Sequence, residues 1–125
     1  MDENNIANRI IGAAIAVHRV LGPGLLESAY HAALCRELEL QGFTFESEFP
    51  IVVEYKGRLI SPAYRGDLLV NNRVIVEIKS VDKLKDIHRA QLLTYLRLTN
   101  RRLGLLINFN TTLLKQGIQR VVNKL

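Results

Sequence analysis

Apolar residues in the first third of the chain recur at helical spacing. Ile6, Ile10, Ala14, Val17 and Leu21 lie three or four apart, and Ile11, Ile15 and Ala16 widen the stripe, which predicts a helix over residues 4–21. Asp2, Asn4 or Asn5 can cap it, and Gly22-Pro23-Gly24 ends it sharply. A second helix is expected from residue 25 to about 41, presenting Leu26, Ala29, Ala33 and Leu40 among its apolar positions, with Gly42 as its C-terminal cap. So short a link predicts an antiparallel helical hairpin.

From Phe43 the period becomes two. Phe43, Phe45 and Phe49 alternate with polar residues, and Ile51-Val52-Val53 leads into a hairpin turn at Tyr55-Lys56-Gly57-Arg58. Leu59-Ile60 is read as a short return strand broken by Ser61-Pro62. Two apolar runs, 64–70 and 74–81, flank Asn71-Asn72-Arg73, residues suited to a tight turn. A third helix over about 85–98 follows, capped by Asp82, with Ile87, Ala90, Leu92 or Leu93, and Leu96 on its apolar side. Residues 103–109 are almost wholly apolar and read as a buried strand; 110–115 form a loop, and 117–122 a last edge strand. The order α-α-β-β-β-β-α-β-β predicts an α/β fold, a mixed β-sheet flanked by helices, in which the strand after the third helix joins in parallel.

Three ionisable residues interrupt the hairpin at 64–81: Asp67 in its first strand, Glu77 and Lys79 in its second. A three-residue turn would set Val70 opposite Val74 and Asp67 opposite Glu77, with Cβ atoms about 5 Å apart. A two-residue turn would put the acids on opposite faces. The first register is the one expected. Two carboxylates so placed repel by roughly 4 kcal/mol at about 4 Å and an effective dielectric near 20. A shared hard cation such as Mg²⁺ relieves this, because it takes oxygen ligands. Lys79 would then orient a water or steady charge on a phosphate. The other reading is an ion pair of Lys79 with Glu77 or Asp67 on a solvated face, and spacing alone leaves both open.

At 125 residues, 48% hydrophobic, the chain is expected to form a single domain spanning 1–125. Its formal net charge of +5 favours a polyanionic partner without requiring one. Cys35 is the sole cysteine, which excludes an internal disulfide and a cysteine-based zinc site and suits a reducing, cytoplasmic setting. The opening Met-Asp-Glu-Asn-Asn is unlike a signal peptide, and no apolar run approaches the ~18 residues of a membrane span.

Elsewhere the spacing alone points to structure. Glu27 opens the second helix, where a carboxylate gains about 0.3–1 kcal/mol from the dipole. Tyr30 and His31 follow on its face. His31 and His18 read as ordinary surface or half-buried residues outside any ligand cluster. Gln91 and Tyr95 are i, i+4 neighbours on the third helix, one turn after His88. Lys83, Lys85 and Arg89 cluster where that helix begins, and suit either a phosphate backbone or a solvated helix end.

Gly24-Leu25-Leu26-Glu27-Ser28-Ala29-Tyr30 resembles the G-x-x-E-x-x-Y signature of the small GxxExxY protein family. The likeness continues through Tyr64-Arg65-Gly66-Asp67-Leu68-Leu69-Val70, Val76-Glu77-Ile78-Lys79, residues 87–96 and Leu105-Leu106-Ile107-Asn108-Phe109. That family is placed in the PD-(D/E)xK nuclease-like superfamily, so the resemblance implies a restriction-endonuclease-like core behind the helical hairpin. It matches Glu27 to the first-helix glutamate, Asp67 to the motif aspartate, and Glu77 and Lys79 to the E-x-K. Gln91-Leu92-Leu93-Thr94-Tyr95 looks like the Q-x-x-x-Y element of the RecB-like branch. One departure is that Arg65-Gly66 stands where a proline precedes the aspartate. Gly66 is expected to let a backbone or a substrate approach the strand.

The resemblance implies a metal-dependent nuclease acting on nucleic acid, DNA before RNA. Glu27, Asp67, Glu77 and the Ile78 carbonyl would hold Mg²⁺ or Mn²⁺. Lys79 would position water or stabilise the transition state, Gln91 would hold the substrate backbone or the lysine, Tyr95 would support the pocket, and Lys83, Lys85 and Arg89 would contact phosphates. A nuclease scaffold that binds without cleaving is the alternative, with a small-molecule or nucleotide hydrolase as a third. No separate DNA-reading element stands out, which leaves room for a second copy or a protein partner.

Overall fold

Helix α1, Glu3–Leu21, starts where the Asp2 carboxylate accepts the Asn5 backbone N–H at 2.8 Å, and ends at Gly22, whose φ of +67° is readily available to glycine. Helix α2, Glu27–Leu40, begins two residues later than the apolar pattern predicts. Its inward stripe is Tyr30, Leu34 and Leu38, whereas Leu26 and Leu40 are exposed. Apolar residues lie on more than one side of this segment, and contact with the sheet selects the i, i+4, i+8 row. The two helices run antiparallel: Arg9, near the start of α1, donates to the Gln41 carbonyl past the end of α2 and lies over the Phe43 ring. This computed structural model describes residues 1–61 and 64–125.

Five strands form one sheet. They are β1 Phe45–Ile51, β4 Tyr64–Val70, β5 Val74–Lys79, β6 Leu103–Asn108 and β7 Ile118–Val122, in the spatial order β1-β4-β5-β6-β7. All neighbours are antiparallel except β5 and β6, which run parallel because α3, Asp86–Thr99, carries the chain between them. Strands β2, Glu54–Tyr55, and β3, Arg58–Leu59, pair only with each other, so the expected return strand at Leu59 never joins the main sheet. Pro62, expected to break it, lies outside the described residues. A 3₁₀ turn, Leu114–Gly117, precedes the edge strand β7.

Each face of the sheet is covered. Against α1 and α2 pack Leu68, Val70, Val74, Val76, Ile78, Leu103, Leu105, Ile107 and Phe109. Against Leu92, Tyr95 and Leu96 of α3 pack Leu69, Ile75, Leu106 and Val121. Alternation along β5 and β6 supplies both layers, so these strands are apolar on both faces up to Glu77 and Lys79 on β5 and Asn108 on β6. Asp82 does not cap α3. Lys85 takes the N-cap position, and its backbone N–H donates to Nδ1 of His88 at 3.0 Å. Among the described residues no helix is long and apolar enough to cross a membrane.

The β1–β4 ribbon does not keep one face inward. Phe45 packs with the α1/α2 layer, yet Phe49 and Ile51, which strict alternation would place beside it, join the α3 layer. The change falls at Glu48, whose φ is +52°, and the ladder skips the Glu48–Asp67 step between Ser47–Leu68 and Phe49–Gly66. Gly66 is required just beyond the switch, because a Cβ there would overlap the Phe49 ring. What approaches the strand at Gly66 is this ring from β1, rather than the backbone or substrate expected.

Gly66→Ala should therefore lower stability by about 1–3 kcal/mol through overpacking. Urea unfolding should show that loss, and Phe49→Leu in the same chain should recover part of it. Equal stability of Gly66→Ala and the parent would refute the close approach.

Candidate functional site

Asn71 and Asn72, with φ of +51° and +58°, turn the chain from β4 into β5. Val70 pairs with Val74, Leu69 with Ile75 and Leu68 with Val76, which is the three-residue-turn register expected from the sequence. The next step would pair Asp67 with Glu77. There the carboxylates replace backbone pairing. The Asp67 N–H donates to Glu77 Oε2 at 2.7 Å, and the Ile78 N–H donates to Asp67 Oδ2 at 2.7 Å. Each acid satisfies a main-chain donor of the opposite strand, so the strands part without orphaning those N–H groups.

Glu77 is only 5% exposed. Burial, and then the charge of Asp67, push its carboxyl up to about 8, while the Asp67 N–H and Lys79 pull the other way. Asp67 is also raised, by burial, against the Ile78 N–H, His31 and Lys79. Among the described residues the ion pairs are Arg36–Glu39 and Arg73–Glu3, so neither acid belongs to one. Lys79 acts on both acids through its field rather than by direct pairing.

Glu27 reaches the same place from α2. It lines, with Ser28, His31, Ser47, Glu48, Asp67 and Ile78, a cavity of about 450 Å³. The G-x-x-E-x-x-Y string accounts for its placement. Gly24 has a φ of +98°, which favours glycine, and the buried Tyr30 hydroxyl clamps the α1–α2 link by accepting the Leu25 N–H at 3.1 Å and donating to the Gly22 carbonyl. The Tyr30 ring stacks on Phe109, centroids 4.6 Å apart. Beyond β5, the buried Asn108 holds the turn: its side chain accepts the Val81 N–H and donates to the Val81 carbonyl. The Ser80 hydroxyl donates to the Leu25 carbonyl, tying this turn to the link before Glu27.

From α3, Tyr95 is buried, and its hydroxyl is raised by burial and then by the charges of Glu77 and Asp67. Gln91 is exposed and lines a second cavity with Tyr95. Lys83, Lys85 and Arg89 are exposed, but Arg89 already donates to the Arg120 carbonyl at 3.1 Å. Asp67, Glu77, Glu27, Lys79 and Tyr95 thus converge, Gln91 borders them, and Arg89 is turned toward β7.

Spacing missed His31, Ser47 and Glu48 among the residues that line the first cavity. His31, read as an ordinary surface or half-buried residue outside any ligand cluster, lines the cavity with Glu27 and Asp67, with Nε2 2.7 Å from the Ser47 hydroxyl. Glu48 joins them through its left-handed backbone. Its place on the wall comes from the slip in alternation, and periodicity carries no trace of that. His31 had a signal: it sits four residues after Glu27 and so shares its face.

The donor set suits a hard divalent cation. Each acid gives one oxygen to a backbone N–H, and among the described residues the other oxygen has no protein donor. No group of three or more His, Cys, Asp or Glu side chains closes into a ligand cluster among the described residues. Two carboxylates suffice for Mg²⁺, which usually keeps several waters.

The buried acids set a pH dependence in the metal-free chain. The folded state raises Glu77 above its ordinary value of 4.5, so the folded chain holds a proton that the unfolded chain releases. Stability should be full below about 4.5, fall as pH rises towards about 8, and level off above. Asp67 adds to the same trend. Urea titrations in a chelator should show this slope, and Glu77→Gln should remove most of it; an unchanged slope would contradict the assignment.

The chain resembles known proteins in sequence and in fold. Residues 4–121 match the family model for the PD-(D/E)XK nuclease superfamily. The crystal structure of SSO0001 shares the fold, with a TM-score of 0.60 at 22% sequence identity, over 78% of this chain and 50% of that one. The chain thus spans about half the length of that solved structure. No curated protein matches it. Nucleases of the matched superfamily act on nucleic acid and generally use divalent metals. With nearly its whole length matched and a mixed five-stranded sheet flanked by helices, the chain belongs to the PD-(D/E)XK nuclease superfamily.

Proposed function

We propose that this protein is a metal-dependent nuclease hydrolysing phosphodiester bonds in DNA, and that it belongs to the GxxExxY family. The observation that carries the reading is the pair of half-buried Asp67 and buried Glu77, each bonded to the other's strand and each with a second oxygen that no protein donor reaches among the described residues. The Gly24-x-x-Glu27-x-x-Tyr30 string supports the family assignment, since its members build the link that presents Glu27.

Asp67 and Glu77 would hold Mg²⁺ or Mn²⁺, with the Ile78 carbonyl and water completing the oxygen set and Glu27 reaching it through water. A divalent cation supplies positive charge to the phosphate and acidifies water beside it. Lys79 positions the attacking water and steadies negative charge as the phosphate is attacked. Its field already reaches both acids. Tyr95 packs under the acids, and Gln91 holds the substrate backbone at their edge. Lys83 and Lys85, both exposed, contact flanking phosphates, and Arg89 does so to the extent that its bond to Arg120 leaves it free. A second copy or a protein partner would supply any further DNA-reading surface.

With Mg²⁺ or Mn²⁺ present, Asp67→Ala and Lys79→Ala should each lower DNA cleavage by at least about a hundredfold. Circular dichroism should show the Lys79→Ala fold intact, and undiminished cleavage by both variants would sink the assignment. Because metal must displace the proton that Glu77 retains up to about 8, calorimetric titration should show Mn²⁺ binding more tightly at pH 8 than at pH 6. Glu77→Gln should weaken that binding and flatten its pH dependence. A parent chain indifferent to Mn²⁺ would instead mark a nuclease scaffold that does not cleave.

A further inference from the structure

A second cavity, of about 420 Å³, opens on the other side of the acid pair. Tyr64, Ile87, Gln91, Thr94, Tyr95 and Leu98 line it, and Tyr64, Ile87 and Leu98 are exposed large apolar or aromatic residues. It nears the acids through Tyr95, which lines it and whose hydroxyl feels the charges of Glu77 and Asp67. The first cavity is bordered by Glu27, His31, Ser47, Glu48 and Asp67 and is polar; the second is an aromatic and apolar slot with one amide and one free aliphatic hydroxyl on its wall.

We propose that this slot takes an unpaired nucleobase of the substrate strand, so that the chain acts on single-stranded or locally unpaired DNA. The inference rests on the nuclease reading above. A nucleobase has apolar faces and polar edges, and the slot offers the same division. Tyr64 presents a ring for stacking, Ile87 and Leu98 exclude water, and Gln91 and Thr94 supply donors and acceptors to a base edge. The base next to a phosphate held at Asp67 and Glu77 lies within a nucleotide's reach of Tyr95, the residue shared by the slot and the acids. A base stacked and paired inside a duplex cannot enter; an unpaired base enters without that cost. The exposed Lys83 and Lys85, just before α3, and a formal net charge of +5 complement the strand's phosphates. That Tyr95 both lines the slot and lies within the field of the two acids favours nucleic acid over a protein partner or a second copy of the chain.

The test uses the full chain carrying Lys79→Ala in Mg²⁺, with anisotropy measured on three labelled 12-nucleotide probes. These are single-stranded DNA, the same deoxyribose-phosphate chain with every base removed, and a blunt duplex. The single strand should bind about tenfold or more tightly than the baseless chain, because stacking on an aromatic ring is lost with the bases. Tyr64→Ala, at a half-exposed ring, should bring the two affinities together, and Tyr64→Phe should keep them apart. Equal affinity for single-stranded and baseless probes, alongside DNA cleavage by the unaltered chain, would overturn this inference and leave the nuclease reading standing. Neither binding nor cleavage of any probe would overturn both. A dimer in sedimentation that Ile87→Glu dissociates would assign the slot to a second copy and overturn it too.

Discussion

Two like charges held in one another's backbone are the constraint on which this structure turns. Asp67 accepts from the Ile78 N–H, and Glu77 accepts from the Asp67 N–H, each at 2.7 Å. These bonds close the parting of β4 and β5 and keep the two acids together in a largely buried position. Burial, and then the charge of Asp67, keeps a proton on Glu77 until a higher pH removes it. A cation held there, as proposed, would compete with that proton for the same two side chains.

Surrounding elements serve that position. Tyr30 knots the α1–α2 link and stacks on Phe109, which immediately follows β6, so the start of α2 is anchored to the sheet near the acids. Asn108 and Ser80 secure the turn after Lys79 at both its sides. On the edge, the left-handed Glu48 lets the β1–β4 ribbon exchange faces, placing Ser47 on the α2 side and Phe49 on the α3 side. Asp67 lies at that exchange. It can border a polar cavity under α2 while acting on Tyr95 under α3.

The acids thus separate two environments, one polar and the other aromatic, on a chain of modest positive charge. A phosphate and the base attached to it require such a pair of neighbours. The superfamily match supplies nuclease as the class, whereas the proposed preference for an unpaired strand rests on the lining of the slot.

Local pattern determined much of this protein. The helical stripe of α1, the turn at Asn71-Asn72-Arg73 and the almost wholly apolar β6 are properties of neighbouring residues, so periodicity shows them directly. The hairpin register followed as well, because a three-residue turn leaves one alignment in which Val70 meets Val74. Glu27 was legible only through its resemblance to a signature, since its spacing speaks equally of a helix N-terminus. Tertiary structure alone decided the inward stripe of α2, the exclusion of β2 and β3 from the sheet, and the failure of Asp82 to cap α3. It also brought His31 to Ser47 and Glu48 to Asp67. Those outcomes depend on which surfaces are buried against one another and on a single backbone torsion at Glu48, and neither leaves a period in the chain.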